Sequence, residues 1–475
     1  MAKDLSLSRL TILYVVGNLA SKVIGFALFF VYTYYISKEN IGYFDLIMTT
    51  VSWITPIVSL QIYDAVLRWS INNKDEETIK KVLTGSMAIV TCMAGLFSIL
   101  YLVAIRFLNV QHHGLIYLVI LLQSLYPVLL QFARGIGKNG VFVLSGILFS
   151  LFYTVITLVV LIVFKLQIDG LLLANIAATL LTILFIIIRL KIYKLIDFKA
   201  LDIKLIKNLI SFSVPLIPNT LSWWVIATVD RFIILYYLGA AFNGMFAIAI
   251  KFPTILLMFS SFFNMAWQEK AIRTYEHDNR DNYYSEVFKK YFSLLFGLVV
   301  VLISLSKPMF KYVVQSSFYD AWKLTPFLYL AVGFQALSSF YGTGYLSSKD
   351  TKGAFTTTIY GAVITIVSNF VLIPRIGLLG ASISIFLGYF TMFLARVLQT
   401  KKYFLVELPY KQMLILLLAV VLVSGLAFSN NPYFIIANII IAVSIFIGTN
   451  MELIGQYKEK IRVQIMKNRL VAGSN

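Results

Sequence analysis

Residues 141–164 read VFVLSGILFSLFYTVITLVVLIVF and contain no charged side chain. A helix of about 20 apolar residues spans the hydrocarbon core of a bilayer, so this stretch predicts a transmembrane helix. Similar apolar runs recur along the chain, separated by short segments that carry most of the charge. The repetition of this pattern predicts an all-α integral membrane protein.

The composition excludes a water-soluble domain. Of the 475 residues, 60% are hydrophobic and 13% are charged, and the mean hydropathy is +0.85. The net charge of +19 could suit nucleic acid, but the lysines and arginines lie mostly in short loops between apolar runs, so we expect no nucleic-acid partner. The single cysteine, Cys92, excludes a cysteine-cluster metal site, and His112 and His113 have no third ligand at a useful spacing. We therefore predict no metal and no cofactor.

Apolar runs bounded by charged and turn residues predict about 14 transmembrane helices. The first is interpreted as a membrane span and not as a signal peptide, because no small-residue cleavage site follows it. The predicted spans are 11–36, 41–64, 82–107, 115–133, 141–164, 170–189, 209–237, 242–267, 288–312, 324–346, 353–373, 377–398, 411–429 and 432–450.

The distribution of lysine and arginine predicts the orientation. Residues near span ends are assigned to the nearer loop, which places Arg396 in the loop after 377–398. Thirty of the 40 then lie in segments on the side of the N-terminus, and seven lie in loops on the other side. Because cytoplasmic loops are enriched in these residues, both termini are predicted to be cytoplasmic. Three basic residues are left inside predicted spans, namely Lys22, Arg231 and Lys251.

The two halves of the chain resemble each other. YYI at 34–36 and IGYF at 41–44 correspond to YYL at 236–238 and NGMF at 243–246, with an offset of 202. Matched counts of six spans in each half predict two pseudo-symmetric lobes, an arrangement typical of alternating-access transporters. The predicted organisation is an N-terminal lobe (1–195), a C-terminal lobe (196–405), a helix pair (406–455) and a basic cytoplasmic tail (456–475).

Several motifs resemble those of the multidrug/oligosaccharidyl-lipid/polysaccharide exporter superfamily, in particular its polysaccharide-transporter branch of Wzx-like flippases. The resemblance covers nearly the whole chain. The motifs are PLIPN at 215–219, DRFII at 230–234, NGMF at 243–246, RGIGK at 134–138 and, as the most specific, LIPRIGLLGA at 372–381. The resemblance implies that a polyprenyl-diphosphate-linked oligosaccharide is moved from the inner to the outer leaflet of the cytoplasmic membrane for surface polysaccharide biosynthesis.

Charged residues within spans are the candidate site, because each costs roughly 2.5–3.5 kcal/mol at mid-bilayer. Lys22, Arg231 and Lys251 suit an anionic cargo, since ammonium and guanidinium groups bind phosphate oxygens. Asn18 lies four residues before Lys22 on the same face, and completes the predicted substrate-binding set. The alternative is that the basic residues neutralise nearby aspartates or extend to the interface.

Asp230 and Asp45 are candidates for ion coupling with Na⁺ or H⁺. Asp230 and Arg231 are adjacent and project about 100° apart, so we do not expect a simple pair along the helix. No nucleotide-binding loop of the GxxxxGK[ST] type is present, which leaves an ion gradient or the membrane potential as the energy source. The alternative function is an ion-coupled multidrug or metabolite exporter of the same superfamily, and an enzyme is not expected.

Overall fold

The computed structural model describes residues 24–71, 75–107, 111–197, 199, 201–348, 351–429 and 431–455. All regular elements in these ranges are helical, and there is no strand among them. In chain order they are α1 (Ile24–Tyr35), α2 (Lys38–Val58), α3 (Ile62–Ser70), α4 (Glu76–Ala104), α5 (His113–Gly135), α6 (Asn139–Ile162), α7 (Ile168–Leu190), α8 (Ile192–Leu195), α9 (Ile203–Ser213), α10 (Leu216–Leu238), α11 (Ala240–Ala249), α12 (Lys251–Thr274), α13 (Arg280–Val313), a 3₁₀ helix (Ser316–Leu324), α14 (Thr325–Ser347), α15 (Thr351–Ile376), α16 (Leu378–Thr400), α17 (Tyr410–Ala427) and α18 (Pro432–Thr449).

The predicted class of all-α membrane protein is confirmed. Within the described residues, 12 segments are long and apolar enough to cross a membrane. Two of them join neighbouring helices, Ile203–Leu238 and Ala240–Gln268. The remaining two predicted spans coincide with α1, which is apolar and described over Ile24–Tyr35, and with α14, a less apolar helix of 23 residues. A helix therefore lies at each of the 14 predicted positions, and the orientation of the termini stays a prediction.

The first compact unit covers Met1–Ala247. Its main core lies among α3, α4, α5, α7 and α9, where Ala65, Leu83, Leu129, Ile186 and Leu209 are fully buried. Lipid tails are as apolar as these side chains, so close packing between helices stabilises this core more than removal from water does.

The path from α9 to α10 shows the effect of proline. Helix α9 ends at Ser213 and α10 begins at Leu216, with Val214 and Pro215 between them. Proline has no backbone N–H and its ring clashes with the preceding turn, which interrupts the helix there. Pro218 lies in the first turn of α10, where proline is tolerated. The predicted span 209–237 is therefore divided by a break between α9 and α10.

The second compact unit covers Ile248–Asn475 and is organised around α13. Phe288, Phe292 and Phe296 follow one another along one face of α13, and the ring centroids of the last two lie 4.4 Å apart. The helix pair α17–α18 packs on the same helix. It is fixed there by Lys307 Nζ, which donates to the Ser429 carbonyl at 2.6 Å, and by Asn450 Nδ2, which donates to the Ser293 carbonyl at 3.2 Å.

The division after Ala247 assigns α10 and most of α11 to the first unit. This division reflects which helices pack against each other. The lobe boundary near residue 195 was predicted from the repeated sequence motifs, and it stays a prediction.

Candidate functional site

Three of the six predicted site residues lie together in the first unit. Asp45 is on α2, and Asp230 and Arg231 are on α10. Lys251 is half-buried at the first residue of α12, in the second unit. Asn18 and Lys22 lie outside the described residues.

Arg231 binds both aspartates. Its Nη1 lies 2.7 and 2.9 Å from the two carboxylate oxygens of Asp230, and its Nε lies 3.3 Å from Asp45 Oδ2. Nη1 also donates to the Ala227 carbonyl at 2.8 Å. The guanidinium carbon lies 5.5 Å from the centroid of the Phe246 ring on α11. We call Asp45, Asp230 and Arg231 the ion cluster.

The expectation that Asp230 and Arg231 do not pair was wrong. Their Cα–Cβ bonds project about 100° apart, but the arginine side chain is long enough to bend back around the helix. Burial favours this conformation, because an unpaired charge at membrane depth is costly. The directions of two Cα–Cβ bonds do not decide pairing when one side chain is as long as arginine.

The ion cluster is buried and carries unequal charge. The Asp230 side chain is 0% exposed, Arg231 is 6% exposed and Asp45 is 18% exposed. Two carboxylates face one guanidinium, so the cluster by itself has a formal charge of −1 when all three are ionised. A proton or a monovalent cation would balance this charge. In the described conformation Arg231 neutralises aspartates, which is the alternative to phosphate binding.

One face of α2 lies against α10 and α11. Gly42, Asp45 and Trp53 share this face, because they are spaced at helical intervals. Trp53 Nε1 donates to Thr228 Oγ1 at 2.8 Å, and the ring centroids of Trp53 and Phe232 lie 5.6 Å apart. We call this contact between α2 and the α10–α11 hairpin the seam. The sequence interpretation missed Trp53, although its spacing of eight residues from Asp45 places the two on neighbouring parts of one face.

Asn243 also stabilises the seam. It is 0% exposed, and its Nδ2 donates to the Gly42 carbonyl at 2.7 Å. Residue 243 precedes a glycine in the repeated motif, and the corresponding residue in the first half is Ile41. The sequence interpretation did not select Asn243, although a polar residue in one copy of an apolar repeat was an available signal.

A second buried arginine, Arg396 on α16, was assigned to a cytoplasmic loop in the count of basic residues. The structure corrects this assignment, because Arg396 is 3% exposed. Its Nη1 donates to the Ser338 carbonyl at 2.7 Å, and Nε and Nη2 donate to the hydroxyls of Thr357 and Thr358 at 3.3 Å. The position lies inside the predicted span 377–398, which was the available signal.

An apolar cavity of about 290 Å³ lies elsewhere in the first unit, among α2, α4 and α5. Two of the hydroxyls in its wall are already engaged, because Thr50 donates to the Leu46 carbonyl and Tyr101 to the His113 carbonyl. None of the residues that line it is charged, and its mostly apolar walls suit hydrocarbon.

Comparisons with known proteins identify the family. The sequence profile of the family described as polysaccharide biosynthesis protein matches residues 7–268, which is more than half of the chain. None of the curated proteins matches the sequence.

Solved structures share the fold. Lipid II flippase MurJ in an inward closed conformation gives a TM-score of 0.73 at 16% identity, over 95% of this chain and 100% of that chain. An inward-facing multidrug resistance MATE family transporter of the MOP superfamily gives 0.65 at 15% identity, over 85% and 96%. A MOP superfamily transporter from Pyrococcus furiosus gives 0.60 at 14% identity, over 83% and 94%.

At these identities the structural likeness shows the fold, and the profile match shows the family. The chain therefore belongs to the polysaccharide biosynthesis protein family.

Proposed function

We propose that the protein is a flippase that moves a polyprenyl-diphosphate-linked oligosaccharide repeat unit across the cytoplasmic membrane by alternating access. The observation that carries this proposal is the family match over residues 7–268, which includes all three residues of the ion cluster. The cargo joins an anionic diphosphate to a long hydrocarbon tail. A buried guanidinium at membrane depth suits the first part of this cargo, and lipid suits the second.

Arg231 is the proposed contact for the diphosphate. Its planar fork of donors matches phosphate oxygens as well as carboxylate oxygens. In the described conformation Asp230 and Asp45 hold these donors, so binding of the diphosphate requires Arg231 to exchange partners. Lys251, Lys22 and Asn18 are proposed as further contacts for the anionic head group.

The proposed role of the two aspartates is to bind an ion when Arg231 leaves them. Two buried carboxylates without a guanidinium are strongly unfavourable, so the departure of Arg231 favours uptake of a proton or Na⁺. The outward movement of an anionic cargo is itself favoured by an inside-negative membrane potential, by about 2.3 kcal/mol per charge per 100 mV. The ion cluster thus links the charge state of the protein to cargo binding.

A second candidate function is export of a cationic drug or metabolite. The observation that favours it is the excess carboxylate of the ion cluster, which would attract a cation. Transporters described as multidrug resistance MATE proteins share the fold.

Reconstitution of the purified chain into liposomes separates the two functions. One set of vesicles contains a fluorescent polyprenyl-diphosphate oligosaccharide, and the other contains a lipophilic cationic dye. We expect protein-dependent appearance of the oligosaccharide in the opposite leaflet and no dye movement. Dye export without flipping would contradict the proposal and support the second function.

A further inference from the structure

Two glycines bring the backbones of α2 and α11 into direct contact. A Cβ added at Gly42 would lie 1.9 Å from the Ala240 carbonyl oxygen and 2.6 Å from Gly244 N. A Cβ added at Gly244 would lie 2.0 Å from the Lys38 carbonyl oxygen. Both contacts are with backbone atoms, which cannot turn away as a flexible side chain can. Neither position therefore accepts alanine unless the two helices move apart.

The two contacts are reciprocal. Gly42 faces Ala240 and Gly244 faces Lys38, and each partner lies four residues before the other glycine. Both pairs of corresponding positions, 38 with 240 and 42 with 244, have the offset of 202 found in the repeated motifs. Such a mutual exchange of contacts is what a local two-fold axis produces.

The glycine contact and the ion cluster are connected through the same helices. Gly42 lies three residues before Asp45 on α2, a rise of about 4.5 Å along the helix. Gly244 lies two residues before Phe246, whose ring contacts the guanidinium of Arg231. Arg231 Nε in turn reaches Asp45. The distance between α2 and α11 at the glycines therefore controls the distance between Asp45 and Arg231.

We propose that Gly42 and Gly244 are positioning residues for the ion cluster. Their lack of side chains lets α2 approach closely enough for Asp45 to reach Arg231. Real Cβ atoms essentially never lie within 3.0 Å of such atoms, so alanine at position 42 displaces the backbones by at least the difference between 3.0 and 1.9 Å. A shift of that size takes the Asp45–Arg231 contact, now 3.3 Å, out of hydrogen-bond range.

The test is rescue of Gly42→Ala by a longer acid. The additional methylene of Asp45→Glu extends the carboxylate by about the length of one carbon–carbon bond, which is close to the required shift. We expect Gly42→Ala to lower flipping in proteoliposomes about tenfold per folded molecule, and Gly42→Ala with Asp45→Glu to recover to within about threefold of wild type. The melting temperature of the purified protein should likewise be lowest for Gly42→Ala, higher for the double variant and highest for wild type.

Two glycines elsewhere serve as controls. Gly380→Ala in the second unit is also crowded by backbone, since its Cβ would lie 2.5 Å from Leu372 C. Adding Asp45→Glu should raise neither the flipping rate nor the melting temperature of Gly380→Ala. A Cβ at Gly95 meets nothing within 4 Å, so Gly95→Ala should behave as wild type.

Failure of Asp45→Glu to raise either flipping or melting temperature in Gly42→Ala would overturn the positioning role, as would equal rescue of Gly380→Ala. This inference uses flipping as one readout and so rests on the proposed function. If wild-type protein flips no oligosaccharide, the proposed function fails, and the melting temperatures of the single and double variants still decide the positioning role.

Discussion

Arg231 in the first unit and Arg396 in the second are both buried within apolar helices, but different groups hold them. Arg231 is bound by the carboxylates of Asp230 and Asp45, which come from α10 and α2. The groups that hold Arg396 include the Ser338 carbonyl and the hydroxyls of Thr357 and Thr358, from α14 and α15.

The difference lies in what can replace the arginine. Carboxylates can lose the guanidinium if a proton or a cation takes its place, so their contact with Arg231 can be exchanged. Carbonyl and hydroxyl dipoles accept hydrogen bonds but carry no net charge for an ion to neutralise. We therefore interpret the ion cluster as an exchangeable contact, and the surroundings of Arg396 as a fixed joint among α14, α15 and α16.

Glycine contributes to both regions in different ways. A Cβ at Gly342 would lie 2.8 Å from Arg396 Nη1, so this glycine makes room for one side chain. Gly42 and Gly244 make room for backbone, and so set the separation of two helices.

The largest effect is expected for Arg231→Met. It leaves two buried carboxylates without their guanidinium, and the free energy of unfolding should fall by about 3–5 kcal/mol. Flipping should be lost. Chemical denaturation of the purified protein measures the first effect, and Asp230→Asn combined with Arg231→Met should recover part of the stability. If Arg231→Met were as stable as wild type, Arg231 would not be needed to neutralise the two buried carboxylates.

Arg396→Met should destabilise the second unit without changing the turnover of folded molecules. It removes the donors from a buried carbonyl and two buried hydroxyls, which should lower the free energy of unfolding by about 2–3 kcal/mol. The check is the flipping rate normalised to folded protein. If that rate fell while stability remained unchanged, Arg396 would belong to the transport machinery, and the proposed contrast would be wrong.

Replacing Asp230 should lower the stability of the protein more than replacing Asp45. Asp230 is fully buried with two short contacts to Arg231, so Asp230→Asn should cost about 1.5–3 kcal/mol of stability. Asp45 is partly exposed and has one longer contact, so Asp45→Asn should cost about 1 kcal/mol. Denaturation curves of the two variants give this order, and the reverse order would show that the seam and not α10 fixes Arg231.

The smallest effect is expected for Trp53→Phe. This change removes the hydrogen bond to Thr228 and keeps a ring against Phe232, so stability should fall by roughly 0.5–1.5 kcal/mol. Thr228→Val is the matched change on α10, and a double-mutant cycle between the two positions measures their coupling. Additive effects would mean that the hydrogen bond contributes nothing to the seam.

The sequence predicted the helices well because membrane spans are a local property. Runs such as 141–164 and the break at Pro215 follow from length, hydropathy and proline chemistry alone. The charged residues Asp45, Asp230 and Arg231 could also be named, because charge inside an apolar run is visible in the sequence.

The contacts among these residues could not be predicted. Asp45 and Arg231 are separated by 186 positions, and only the packing of α2 against α10 brings them together. The close approach at Gly42 and Gly244 depends on backbone geometry that the repeated motif does not specify. Arg396 was misassigned because a residue near the end of a span can be directed either to the interface or to the interior.

The most direct test of the exchange at the ion cluster compares Arg231→Lys with Arg396→Lys in proteoliposomes that contain a fluorescent polyprenyl-diphosphate oligosaccharide. Lysine keeps the positive charge of each site but loses the planar fork of donors. We predict that Arg231→Lys flips at least about tenfold more slowly per folded molecule, a loss of about 1.4 kcal/mol or more in transition-state stabilisation, and that Arg396→Lys flips at the wild-type rate. Wild-type flipping by Arg231→Lys, or an equal loss in both variants, would contradict the central claim.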